Sequence, residues 1–277
     1  MPGYLSYKFE DSEQLVNTFD ELPLWSAPFG LLLLKHLEYK PDITILDIGS
    51  GAGFPLMEIA ARFGESCRCY GLDVWRNANE RAKQKVINYG LGNVEVIEGS
   101  AESIPFSDNS IDLIVSNLGI NNFENPDTVF GECYRVLRPR GKLALTTNLN
   151  GHWKEFYEVF EATLRQLGKE DIVAKLEEHQ QHRGTTETIS ELFTRQGMHV
   201  SNYHTESFNM HFLNGSAFLD HYFVKLGWLG SWMELVKGED VAGIFSLLEQ
   251  KLNEVAGRSG CLKLTVPMAF IEGIKSV

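Results

Sequence analysis

A chain of 277 residues, 43% of them hydrophobic, is long enough to bury a sizeable core. No run of about 18 apolar residues is present, so no helical membrane span is expected. With 37 acidic against 25 basic residues the formal charge is −12, and such a surface repels phosphate backbones, which argues against nucleic acid as a partner.

The N-terminus, MPGYLSYKFEDSEQ, has no basic region followed by an apolar one, so no signal peptide is expected. Cys67, Cys69, Cys133 and Cys261 show no metal-ligand spacing, so no metal site is expected. Reduced thiols in a cytoplasmic protein are the simpler reading. Two basic clusters (Arg76, Arg81, Lys83, Lys85; Arg135, Arg138, Arg140, Lys142) alternate with apolar residues and read as solvated faces.

In chain order, residues 1–42 read as a helical cap rich in leucine and aromatics. From residue 43 the apolar period switches repeatedly. Strands are expected at Ile43–Ile48, Arg68–Leu72, Val94–Glu98, Ile111–Asn117 and Gly141–Asn148. Helices are expected between them at Pro55–Phe63, at Trp75–Tyr89 ending on Gly90, and at Asp127–Leu137 closed by Pro139. Further on, residues 151–183 look helical and charged. Thr188 with Glu191 signals another helix through about Gln196. Met198–Phe212 reads as a long strand, Gly215–Ala256 as helix interrupted near Gly227–Gly230 and at Gly238, and Leu262–Ile274 as a last strand.

Strands separated by helices of this length imply right-handed crossovers and an α/β, doubly wound, mostly parallel sheet covered on both faces. In such sheets ligands sit beyond the carboxyl ends of the strands. At the first of these ends stands ILDIGSGAGF, with Gly49, Gly51 and Gly53 at every second position after Asp47. A dinucleotide fingerprint would need a third glycine at position 54, which is Phe54. A phosphate-cradling P-loop would need Gly-Lys-Ser/Thr, and the turn holds no lysine. The backbone is bared for close approach without provision for a phosphate. Asp73 ends the second strand, positioned to accept from ribose hydroxyls; the competing reading is an acid that caps the following helix. The segment Gly99–Phe106 follows the third strand at the next carboxyl end.

ILDIGSGAGF, GLDV, EGSAESIPFSDNSIDLIVSN and RVLRPRGKLALTT, in this order, resemble the class I S-adenosylmethionine-dependent methyltransferases. The likeness is to the small-molecule group that includes the ubiquinone/menaquinone C-methyltransferases (methyltransferase type 11-like). FDELPLWSAPFGLLLLKHL resembles that group's N-terminal helix. The resemblance implies a seven-stranded Rossmann-like sheet with an N-terminal helical cap and a helical insertion before the last strand. It implies one domain in three parts: the cap, 1–42; a cofactor-binding core, 43–148; and 149–277, completing the sheet and covering the substrate.

By position, the resemblance implies that Asp47 and the backbone of Gly49, Gly51 and Gly53 hold the methionine moiety and approach the ribose. Asp73 would take the ribose hydroxyls, Val74 the adenine face, Ser100 and Ala101 the adenine edge, and Asn117 would lie near the methyl. Ser100 departs from the acid often found there, and LGINNF lacks the histidine many relatives carry near Asn122.

Methyl transfer from a sulfonium is an in-line displacement, and a base is needed only where the acceptor must lose a proton. His152, after the fifth strand, is the candidate base, with His204, His211 and His221 behind it. Most aromatics beyond residue 150 read as core, and some as lining for an apolar acceptor site. Trp25, Asn122 and Tyr222 are the expected substrate-side residues. The expected function is methyl transfer to a small-molecule acceptor. The alternatives are a cofactor-binding protein of this fold with another reaction or a regulatory role, and a nicotinamide oxidoreductase, disfavoured by Phe54.

Overall fold

The computed structural model describes residues 3–8, 10–20, 24–181 and 183–276, so residues 1, 2, 9 and 21–23 of the expected cap lie outside the description. The elements run α1 (Glu13–Asp20), α2 (Ser26–His36), β1 (Thr44–Ile48), α3 (Leu56–Phe63), β2 (Arg68–Asp73), α4 (Arg76–Tyr89), β3 (Val94–Glu98), β4 (Ile111–Asn117), α5 (Pro126–Val136) and β5 (Leu137–Asn148). There follow α6 (Lys154–Gln166), α7 (Glu170–Gln181), α8 (Thr186–Arg195), β6 (Met198–Phe212), α9 (Gly215–Leu219), α10 (Tyr222–Val224), α11 (Gly230–Leu235), α12 (Val241–Ser259) and β7 (Leu262–Lys275).

The strands form one seven-stranded sheet in the order β3-β2-β1-β4-β5-β7-β6. β1 pairs in parallel with β2 and β4, β2 with β3 and β4 with β5, while β7 pairs antiparallel with β5. Strand order reverses at β1, so the carboxyl ends of β1 and β4 lie at the switch point, where open α/β sheets bind ligands. The fold class expected from the sequence is the one observed. β1 and β4 are apolar and buried almost throughout because helices cover both faces.

The chain gathers into two compact units. The sheet unit comprises 11–148, 184–206 and 268–277, and the helical unit 1–10, 149–183 and 207–267. The helical unit packs around rings: Phe156 lies 4.3 Å from Trp232 and 5.2 Å from Phe218, centroid to centroid, and all three are fully buried. These aromatics are core, as their density after residue 150 implied.

Four local expectations are corrected. Pro139 does not close a helix. α5 ends at Val136, Leu137 is already extended, and Pro139 lies inside β5 where the pairing with β4 shifts register, so its missing N–H interrupts no regular ladder. The capping box is Thr185 with Thr188, not Thr188 with Glu191, since a threonine hydroxyl serves at the third helical position as glutamate would. Gly227 falls in a π-helical turn, Lys225–Leu229, that keeps the helix continuous from α10 into α11, which begins at Gly230; the breaks are at Asp220–His221 and, as expected, around Gly238. Lys85 and Arg135 are not on freely solvated faces. Lys85 pairs with Asp20, and Arg135 with Glu132 and Asp108.

Candidate functional site

The turn after β1 is built from left-handed backbone. Gly49, Gly51 and Gly53 have φ of 71°, 51° and 94°, a region L-residues rarely enter. Added side chains would meet different fates. A Cβ on Gly49 would come within 3.2 Å of the Gly119 backbone, and one on Gly53 within 2.7 Å of the Met57 methyl. At Gly51 it would meet no protein atom within 4 Å, so this backbone faces open space. The turn is tied to β2: Gly49 N–H donates to the Leu72 carbonyl at 2.9 Å and Gly51 N–H to Asp73 Oδ2 at 2.8 Å.

Asp73 also accepts from Trp75 N–H through Oδ1 at 2.8 Å. That bond closes a turn just ahead of α4, whose own first turn has no side-chain cap, so Asp73 is not the helix cap of the competing reading; it fixes the glycine turn. Each carboxylate oxygen retains a lone pair. Asp47 is different. It is fully buried, and neither carboxylate oxygen has a hydrogen-bond partner of ordinary geometry among the described residues. Burial pushes its carboxyl well above the usual carboxylate range, and the nearby Asp73 charge adds to the shift.

The other positions on this side of the sheet unit follow from strand adjacency. Asp73 pairs in register with Glu98, and its carbonyl accepts from Gly99 N–H at 3.0 Å, so the loop carrying Ser100 and Ala101 starts beside it. Val74 is 68% exposed, an apolar side chain offered outward next to Asp73. Asn117 is buried at the end of β4, its Oδ1 accepting from the Thr146 hydroxyl at 2.8 Å. Asn122 is exposed on the 3-10 turn Gly119–Asn122. Trp25, just before α2, is buried against Phe29.

His152 and Tyr222 belong to the helical unit. Tyr222 meets Tyr7 edge to face at 6.0 Å. His152 is buried, stacked 4.4 Å from Trp153 and 5.8 Å from Trp228. Burial and the Arg183 charge hold its pKa well below the ordinary 6.5, which makes it neutral at pH 7 but a weak proton acceptor. Among the described residues no group of three or more His, Cys, Asp or Glu is arranged to hold a metal, and no helix is long and apolar enough to cross a membrane.

Two contacts at the turn were not legible from sequence. Phe54, which breaks the dinucleotide pattern, lies against Gly30 of α2 so closely that a Cβ there would come within 2.4 Å of its ring. Lys85 donates to the Ala52 carbonyl at 2.9 Å and pairs with Asp20, linking α1 to the turn. A glycine and a lysine 24 and 33 residues from their partners leave no local pattern to read.

Two solution behaviours follow. Asp47 has a raised folded pKa, so its contribution to stability is full below the unfolded value of about 3.9 and is lost as pH rises through the raised one. Asp47→Asn removes the titrating carboxyl at equal volume. It should stabilise the ligand-free protein at pH 8 by about 1 kcal/mol or more, measured by urea unfolding. A less stable variant would show that the carboxylate is already compensated. His152 has a lowered folded pKa, so its contribution is full above about 6.5 and is lost as pH falls towards the folded value. His36, lowered by burial, His204 and Lys35, acts in the same sense. Melting temperature should drop between pH 7.5 and 5.5, and less steeply in His152→Leu; parallel curves would remove His152 as a cause.

Residues 46–145 match a family model described as a methyltransferase domain. The chain is 33% identical over 167 residues to a demethylmenaquinone methyltransferase of Geobacillus sp. (strain WCH70), covering 59% of this chain and 70% of that protein. It is 26% identical over 226 residues to the protein of the same name from Lactococcus lactis subsp. lactis (strain IL1403), covering 78% and 84%. A crystal structure of a SAM dependent methyltransferase from Aquifex aeolicus superposes with a TM-score of 0.54 at 22% identity, covering 71% of this chain and 92% of that one.

Proposed function

We infer the workings that follow from one premise: the chain belongs to the class I S-adenosylmethionine-dependent methyltransferases, and it transfers a methyl group from that cofactor to a small molecule. The observation that carries the residue assignment is the fully buried Asp47 carboxylate, met by a weak backbone contact from Leu56 and by no counter-charge among the described residues, below a glycine turn that opens onto free space at Gly51. A ligand that brings a positive charge and lies flat on bare backbone fits both features, and the methionine end of this cofactor is such a ligand.

Asp47 gives the ammonium of the methionine moiety its counter-charge, and the backbone of Gly49, Gly51 and Gly53 admits the ligand close to the turn. Asp73 keeps the turn in place and accepts from the ribose hydroxyls with its remaining lone pairs. Val74 covers the adenine face, and Ser100 and Ala101 meet its edge. Asn117, held by Thr146, stands at the switch point beside the transferring methyl. When bound, the cofactor supplies a methyl already activated by the sulfonium, so the residues have only to align, shield and orient. Neither a metal nor a covalent nucleophile is assigned a role.

For the acceptor we propose a quinone, taken in its reduced form; the Geobacillus and Lactococcus relatives are named for demethylmenaquinone. A cytoplasmic location is proposed on the four free cysteines, and the charge of −12 argues against a nucleic acid partner. The test is incubation with S-adenosylmethionine and 1,4-naphthoquinol. S-adenosylhomocysteine and a C-methylated naphthoquinol should appear together. Cofactor binding without turnover of any quinol would overturn the acceptor and leave the cofactor assignment standing.

A further inference from the structure

The carboxyl ends of β4 and β5 carry amides and hydroxyls that the cofactor roles leave unused. Asn121, on the turn after β4, accepts from the Thr147 hydroxyl at 2.8 Å and donates from Nδ2 to Asn148 Oδ1 at 2.9 Å. With the Thr147 hydroxyl donating to Asn121 Oδ1, the Asn148 oxygen is taken and its nitrogen is left over. Asn148, the last residue of β5, is 1% exposed, and its Nδ2 has no acceptor among the described residues. A buried donor left unpaired costs stability, a cost that an accepting group on a ligand would remove. The neighbouring Asn117 does not show this vacancy, since its nitrogen donates to the Ser26 carbonyl at 3.3 Å.

We propose that Asn148 is a specificity-determining residue for the methyl acceptor: its Nδ2 donates a hydrogen bond to an oxygen of the small molecule, a phenolic, enolic or carbonyl oxygen near the atom that is methylated. This rests on the reading that transfer takes place at the carboxyl ends of β4 and β5. Three features support it. The amide is anchored through its oxygen by a two-bond relay to Asn121 and Thr147. It stands one strand from Asn117, paired through the β4–β5 register that sets Asn117 opposite Thr146. And an amide donor suits an oxygen acceptor, while it offers nothing to an amine or thiol that must itself present a lone pair to the methyl.

The experiment uses the full chain, S-adenosylmethionine, and four acceptors: 1,4-naphthoquinol, catechol, tryptamine and thiophenol. The wild-type protein should release S-adenosylhomocysteine with one or both oxygen-bearing members and with neither of the others. Asn148→Leu should bind S-adenosylhomocysteine as the wild type does, by calorimetry, yet show a KM for the active acceptor raised roughly tenfold or more with kcat changed less. Asn148→Ala carries the same test if the leucine variant does not fold. Turnover of tryptamine or thiophenol, an unchanged KM in the variant, or turnover of no member by a protein that binds S-adenosylhomocysteine would each overturn the proposal. Failure of the wild type to bind S-adenosylhomocysteine strikes instead the cofactor reading beneath it.

Discussion

Gly51→Asn should keep the fold and lose cofactor binding by roughly 100-fold or more, about 3 kcal/mol. The backbone at Gly51 has φ of 51°, which asparagine tolerates better than other side-chain-bearing residues. No protein atom lies within 4 Å of the added Cβ, so the protein itself has room for it. The only casualty is whatever occupies the space in front of the turn. A bulkier Gly51→Val should abolish binding, with added backbone strain because a β-branched residue is poorly suited to this conformation. Calorimetry with S-adenosylhomocysteine gives the affinity, and a thermal melt shows whether the fold survives. Unchanged affinity in a folded Gly51→Asn protein would mean that the turn faces away from the ligand.

Asp73→Ala should cost about 3 kcal/mol of cofactor affinity, the scale of losing two hydrogen bonds to a charged acceptor. Part of the loss is direct, from the ribose hydroxyls. The rest is indirect, because the same carboxylate holds Gly51 N–H and Trp75 N–H at 2.8 Å each. Asp73→Asn keeps one acceptor oxygen and should fall between the wild type and the alanine variant. A cofactor analogue lacking both ribose hydroxyls separates the two parts. It should bind the wild type weakly and lose less than the parent compound on Asp73→Ala. Equal losses for the two compounds would assign Asp73 to the turn alone.

What could be read from the chain was what lies close together along it. Val94–Glu98 and Ile111–Asn117 were bounded correctly because a β-rich run between turn residues is a local signal. Gly90 was placed at the end of α4 because a helix closing on φ of 66° favours glycine there. Pro139 misled because the proline rule assumes a helix is still in progress, whereas the chain had already become extended at Leu137.

The candidate site divides in the same way. Asp47, Gly49, Gly51 and Gly53 form one contiguous turn, so their types and spacing were visible in ILDIGSGAGF. The uncompensated burial of Asp47, the seat of Phe54 on Gly30 and the lone amide of Asn148 depend on which strands are neighbours. No spacing rule carries that information.

The cofactor lies on the glycine turn if binding it protects that turn from solvent. Hydrogen exchange with and without S-adenosylhomocysteine measures this along the whole chain at once. Ligand should slow exchange at residues 47–54, at 73–75 and at 99–101, and also in α1 and α2, which meet the turn through Asp20–Lys85 and Gly30–Phe54. Binding that leaves residues 47–54 exchanging as in the free protein, with protection elsewhere, would contradict it.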